Sequence, residues 1–144
     1  MLISGLLDYR ERLRAVGITS GFQLIDGSFT EDCEAVKGRP PGDIDLVTYA
    51  YLPVAPSQVS VFLSNNLSLF NPRIAKQTYH CEAFFIDMAK NAELLIDETL
   101  YWNGLFSHQR STFMWKGMLR VPLMADDAAA RAQIAVLTGA ENGS

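Results

Sequence analysis

The chain has 144 residues, of which 49% are apolar, and a formal net charge of −4. That length suits a single domain, residues 1–144, with a sizeable core, and the acidic balance excludes a protein that coats nucleic acid with a basic face. Two cysteines, Cys33 and Cys81, are too few for a disulfide scaffold in a chain this long and point to a reduced, cytoplasmic setting. No apolar run approaches the ~20 residues of a spanning helix, so no membrane partner is expected. The start, "MLISGLLDYRERLR", turns charged too early for a secretory signal.

In chain order, Leu6, Leu7, Leu13 and Val16 repeat at helical spacing, and Gly17 is a stop signal, which predicts a first helix over 6–16. "GFQLIDGSF" reads as a strand running into a tight turn at Gly27-Ser28. "TEDCEAVKGRPPG" is turn-rich and polar and predicts a mobile loop. "DIDLVTYAYL" is rich in β-formers and predicts a strand. "APSQVSVFLSNNLSLF" predicts one helix over 55–70, and "YHCEAFFIDM" a third strand. "NAELLIDETLYWNGLF" predicts a helix ending near Gly104, "MLRVPL" a short last strand, and "DDAAARAQIAVL" a last helix. The tail 138–144 is small and polar and is expected to fray. The order is that of a mixed α/β domain with helices flanking one sheet.

The chemistry centres on "PGDIDLV". Side chains alternate along a strand, so Asp43 and Asp45 share one face while Ile44 and Leu46 share the other. Two bare carboxylates so placed repel each other, and a divalent cation resolves the conflict. The plainer alternative is that Asp43 caps a turn and Asp45 is solvated. The turn at Gly27 lets backbone N–H groups approach a phosphate, and Ser28 adds a hydroxyl; it is otherwise an ordinary turn. A third carboxylate from another strand completes such a site. Glu82 and Asp87 are the candidates, and their opposite parity lets at most one face it. Glu82 is favoured, because Asp87 is placed to cap the next helix.

Basic residues are spread over two segments. Lys37 and Arg39 either reach phosphates or solvate their loop. Arg110, Lys116 and Arg120 interleave with Phe113 and Trp115, an arrangement that stacks a base and holds a phosphate, or else forms a β-hairpin with its aromatic face in the core. His80 and His108 have no partners at zinc-ligand spacing. "DID" is also the DxD of metal-dependent glycosyltransferases, but that reading leaves Gly27-Ser28 unexplained.

From about Leu6 to Leu123 the chain resembles the nucleotidyltransferase fold of the DNA polymerase beta superfamily. It is most similar to a bacterial branch of small nucleotidyltransferase-like domains of unknown function. The resemblance is carried by "DGSF", "PGDIDLV", "AFFIDM" and "YWNGLF…R…KG…R". It implies an α/β domain of nucleotidyltransferase type that uses Mg²⁺ or Mn²⁺ and a nucleoside triphosphate (NTP, such as ATP). By the same resemblance Asp43, Asp45 and Glu82 bind metal and carry catalysis. Gly27 and Ser28 contact the phosphates, and Lys37, Arg39, Arg110 and Lys116 assist. The family usually has Asp where this chain has Glu82, and its turn-to-strand gap is shorter than the one holding "DCEAVKGRPPG". The relatives imply a nucleotidyl transfer to a hydroxyl on RNA, a protein or a small molecule. They also imply a toxin or antiphage-defence role with a cognate partner or antitoxin. The alternative is an inactive nucleotide-binding or protein-interaction module of the same fold.

Overall fold

Among the described residues four strands form one mixed sheet: β1 (Gly21–Asp26), β2 (Ile44–Ala50), β3 (Cys81–Asp87) and β4 (Leu119–Pro122). Their spatial order is β3-β2-β1-β4. β1 runs antiparallel to both β2 and β4, whereas β2 and β3 are parallel. The computed structural model describes residues 2–110 and 112–141.

The helices are α1 (Leu2–Ala15), α2 (Cys33–Lys37), α3 (Val59–Asn65), α4 (Leu67–Phe70), α5 (Pro72–Tyr79), α6 (Ala92–Phe106) and α7 (Asp127–Glu141). Strand alternation divides the core in two. Ile44, Leu46 and Ala50 of β2 and Cys81 and Ala83 of β3 pack with Leu6, Tyr9 and Leu13 of α1 and with Leu69 and Ala75. On the opposite face Val47, Tyr49 and Ile86 pack with Leu95, Trp102 and Phe106 of α6. The parallel β2–β3 pair therefore has helices on both faces, as parallel strands require. Among the described residues no helix is long and apolar enough to cross a membrane.

Arg10 of α1 is buried beneath β1 and β4. Its Nη1 donates to Gln23 Oε1 at 2.7 Å, Gln23 Nε2 donates to Thr48 Oγ1 at 3.0 Å, and its Nε donates to both oxygens of Asp127. The charge is thus paired and hydrogen-bonded, as burial demands. This pairing fastens the start of α7 to α1 and the sheet.

Several expectations from sequence need correction. The segment 30–42 is not a plain loop, because it contains α2. The Asp32 side chain accepts from Ala35 N, and Gly38 closes the helix in the left-handed conformation. The single helix over 55–70 is instead a 3-10 turn, Pro56–Gln58, followed by α3 and α4. Asn66 Nδ2 donates to Phe62 O at 2.9 Å, and the backbone leaves helical geometry at φ −128°, ψ 41°. The helix expected over "NAELLIDETLYWNGLF" is found as α6, which ends at Phe106, two residues past Gly104. α7 extends through residues 138–141 of the expected tail, and residues 142–144 lie outside the described residues. Phe113 and Trp115 do not face the core; they are 77% and 78% exposed.

Candidate functional site

Three carboxylates stand in one row across the sheet. Asp26 ends β1, Asp45 is the second residue of β2 and Glu82 the second of β3. The strand register sets Asp26 opposite Asp45, and Asp45 opposite Glu82. Alternation directs all three to the α6 face. Asp43 joins them from the residue before β2. Asp43, Asp45 and Glu82 each bring one carboxylate oxygen within 4.8 Å of the others. Asp87 has the opposite parity and ends β3, where its Oδ1 accepts from Ala89 N at 3.0 Å. Asn91, not Asp87, caps α6.

The charges of this row are answered unevenly. Lys76 of α5 lies 2.5 Å from Asp43 Oδ2 and 3.3 Å from Glu82 Oε2. The left-handed His80 that ends α5 turns the chain back, so Lys76 and Glu82 meet six residues apart. Lys116 lies 3.0 Å from Asp26 Oδ2 and 3.2 Å from Glu31 Oε1, and Lys37 reaches the other oxygen of Glu31 at 3.3 Å. Burial pushes the Glu31 carboxyl up, but hydrogen bonds from the two lysines outweigh it and hold the group below its ordinary value. The Asp45 carboxylate, at the centre, makes no hydrogen bond or ion pair among the described residues. Burial first, then the charges of Asp43, Glu82 and Asp26, push it up from 3.8 to about 6, against a smaller pull from Arg110.

The turn after β1 closes over this centre. Gly27 has φ +85° and begins a 3-10 turn, Gly27–Thr30. A Cβ on Gly27 would collide with Asp45 Oδ2, so glycine is required there both for conformation and for space. Thr30 Oγ1 donates to Gly27 O at 3.1 Å and fixes the turn. The Ser28 hydroxyl makes no hydrogen bond among the described residues.

The carboxylates line a cleft of about 780 Å³. Gly27, Ser28, Lys37, Arg39, Arg110 and Lys116 line it beside Asp43, Asp45 and Glu82, so the structure gathers all nine of these sequence-derived candidates. Arg39 and Arg110 make no ion pair among the described residues. Arg120 does not line the cleft; its guanidinium lies over the Phe22 ring at 4.1 Å. The lining is also aromatic, with Phe84 of β3, the next residue after Glu82 on the same face, and Tyr101, Trp102 and Phe106 of α6. His108 also lines the cleft, its ring centroid 3.9 Å from that of Trp115.

Sequence reasoning missed four contributors: Asp26, Glu31, Lys76 and the α6 aromatic wall. Asp26 was legible as the last residue of a strand before the Gly-Ser turn. Lys76 lies on α5, whose Asn71-Pro72 start is a readable cap signal, with Asn71 Oδ1 accepting from Arg73 N and Ile74 N. Nothing in the sequence marks Glu31.

The donor set at Asp43, Asp45 and Glu82 is all carboxylate oxygen, which suits a hard divalent cation such as Mg²⁺ or Mn²⁺ rather than a soft one. The Lys76 ammonium between Asp43 and Glu82 already stands in for a cation there. No curated protein matches the chain. A family of unknown function, DUF6932, matches residues 1–122, a span that takes in the whole sheet and every residue lining the cleft. By that match the chain belongs to the DUF6932 family.

Proposed function

We propose that this chain is a metal-dependent nucleotidyltransferase of the DNA polymerase beta type, moving a nucleotidyl group from an NTP to a hydroxyl. One observation carries the reading: Asp43, Asp45 and Glu82 converge in a cleft that is also lined by Phe84, Tyr101, Trp102 and Phe106. A triphosphate with its metal matches the carboxylates, and a nucleobase matches the aromatic side chains.

In this reading Asp43 and Asp45 hold the divalent cation, and Glu82 faces the acceptor. When bound, the cation neutralises the charge that develops on the phosphates. Backbone N–H groups at Gly27 and the Ser28 hydroxyl hold the phosphate tail. Arg39 and Arg110, which have no ion pair among the described residues, add positive charge to the lining of the cleft. The acceptor oxygen attacks the α-phosphorus, pyrophosphate leaves, and the hydroxyl proton passes to Glu82. The aromatic wall of α6 orients the base. The acceptor is a hydroxyl of RNA, a protein or a small molecule.

A second reading, an inactive nucleotide-binding module, is favoured by the ion pairs that already satisfy Asp43, Glu82 and Asp26. One experiment separates the two. Each α-labelled NTP is incubated with the chain and Mg²⁺, using total RNA, cell extract or buffer as the acceptor pool. Label transferred by the native chain and lost in Asp43→Ala/Asp45→Ala supports the enzyme. No transfer, with a metal-dependent rise in melting temperature on adding triphosphate, supports the module.

A further inference from the structure

Lys76 occupies an unusual place for a surface lysine. Its side chain is half exposed, yet its ammonium contacts two of the three carboxylates that converge on the cleft. Its reach is set by the backbone, because α5 is capped at Asn71 and reversed at His80, so the lysine and Glu82 are held at one sheet end. Of the other cations lining the cleft, Lys116 is engaged with Asp26 and Glu31 and Lys37 with Glu31, and Arg39 and Arg110 make no ion pair among the described residues. Among the described residues Lys76 is thus the one cation in ion-pair contact with Asp43 and Glu82, and it is on a long, flexible stem able to leave.

We infer that Lys76 is an internal competitor for the metal: it holds Asp43 and Glu82 together in the metal-free chain and must be displaced before a divalent cation binds. Once displaced, its ammonium remains beside the site and is available to the anion that the metal brings. This inference rests on the metal-binding reading of Asp43, Asp45 and Glu82. It assigns Lys76 two opposed effects, weakening the bare metal and strengthening the metal-bound anion. A lysine with a merely structural role has neither.

The test is Mn²⁺ binding, followed by electron paramagnetic resonance, to the native chain, Lys76→Gln, Lys76→Arg and Asp43→Ala/Asp45→Ala. A second titration adds a non-hydrolysable triphosphate analogue at saturating Mn²⁺. Removing one positive charge in contact with the ligands is expected to tighten Mn²⁺ about tenfold in Lys76→Gln. The same variant is expected to bind the Mn²⁺-bound triphosphate more weakly than the native chain. Lys76→Arg, which keeps the charge, should stay near the native values. Unchanged or weaker Mn²⁺ binding in Lys76→Gln, or Lys76→Arg behaving like Lys76→Gln, overturns the inference while leaving the metal site intact. Absence of Mn²⁺ binding in both the native chain and Lys76→Gln overturns the metal reading itself, and the inference with it. Melting curves of all variants confirm folding, which a half-exposed lysine does not control.

Discussion

Gly27 stands against Asp45 with no room for a side chain between its α-carbon and the carboxylate. The turn that follows β1 and the central carboxylate of β2 are thus fitted to each other. Gly27→Ala must both accept φ +85° and push Asp45 aside. The expected cost is about 2 kcal/mol or more of stability, from left-handed strain and overpacking together. Urea unfolding measures it. The same variant should bind Mn²⁺ far more weakly than the native chain, because Asp45 no longer lines up with Asp43 and Glu82.

Asp45 also sets a pH dependence. Its ordinary value is 3.8 and its value in the fold is about 6. Between these the folded chain keeps a proton that the unfolded chain has released. Stability therefore falls as pH rises through that window and stays lower above it. Asp45→Asn removes the penalty. It should raise stability by about 1 kcal/mol at neutral pH, a figure reduced for solvent at a half-buried group, and by nothing near pH 4. Denaturant melts of both chains at the two pH values give the comparison.

The parts of this site differed in how far the sequence disclosed them. Alternation in "DIDLV" was enough to set Asp43 and Asp45 apart from Ile44 and Leu46, and parity was enough to separate Glu82 from Asp87. Those are local rules, and the structure follows them in its register. Lys76 was out of reach because its role depends on α5 packing beside β3, and the segment 71–78 carried no assigned element. The aromatic wall was hidden for another reason. The apolar residues of α6 serve both the core and the cleft, and composition alone does not divide Trp102 and Phe106 from the 63% exposed Tyr101. The break at Asn66 was missed because a side chain bonding to Phe62 O overrode a continuous apolar pattern.

Asp127 should prove the most sensitive carboxylate outside the cleft. It receives Arg10 Nε at 2.9 Å and Arg14 Nη1 at 2.7 Å, and Arg10 is only 1% exposed. Burial pushes Asp127 up, but the two arginines outweigh it and hold it below 3.8. Its contribution is present above its unfolded value and is lost as pH falls through the lower, folded value. Asp127→Asn leaves Arg10 as a poorly compensated buried charge and should cost about 3 kcal/mol. The double variant Asp127→Leu/Arg10→Met should recover much of that loss in chemical denaturation.

Tyr101 tests the aromatic lining. It lines the cleft and is largely exposed, so Tyr101→Ala should leave stability within about 0.5 kcal/mol. Affinity for a nucleoside triphosphate should fall by about 1 kcal/mol or more, the worth of one base-stacking contact. Affinity for inorganic triphosphate should not change. Calorimetric titration of both ligands separates a base platform from a general loss of binding.

The register that aligns Asp26, Asp45 and Glu82 draws on three strands far apart in sequence. β2 is central among them, antiparallel to one neighbour and parallel to the other, so the end of β1 meets the beginnings of β2 and β3. No fragment lacking one of the three possesses the constellation, and the unfolded chain has no remnant of it. Ligand affinity and conformational stability are therefore drawn from one reservoir of free energy. Whatever occupies the row adds its binding energy to the cooperativity of the whole sheet.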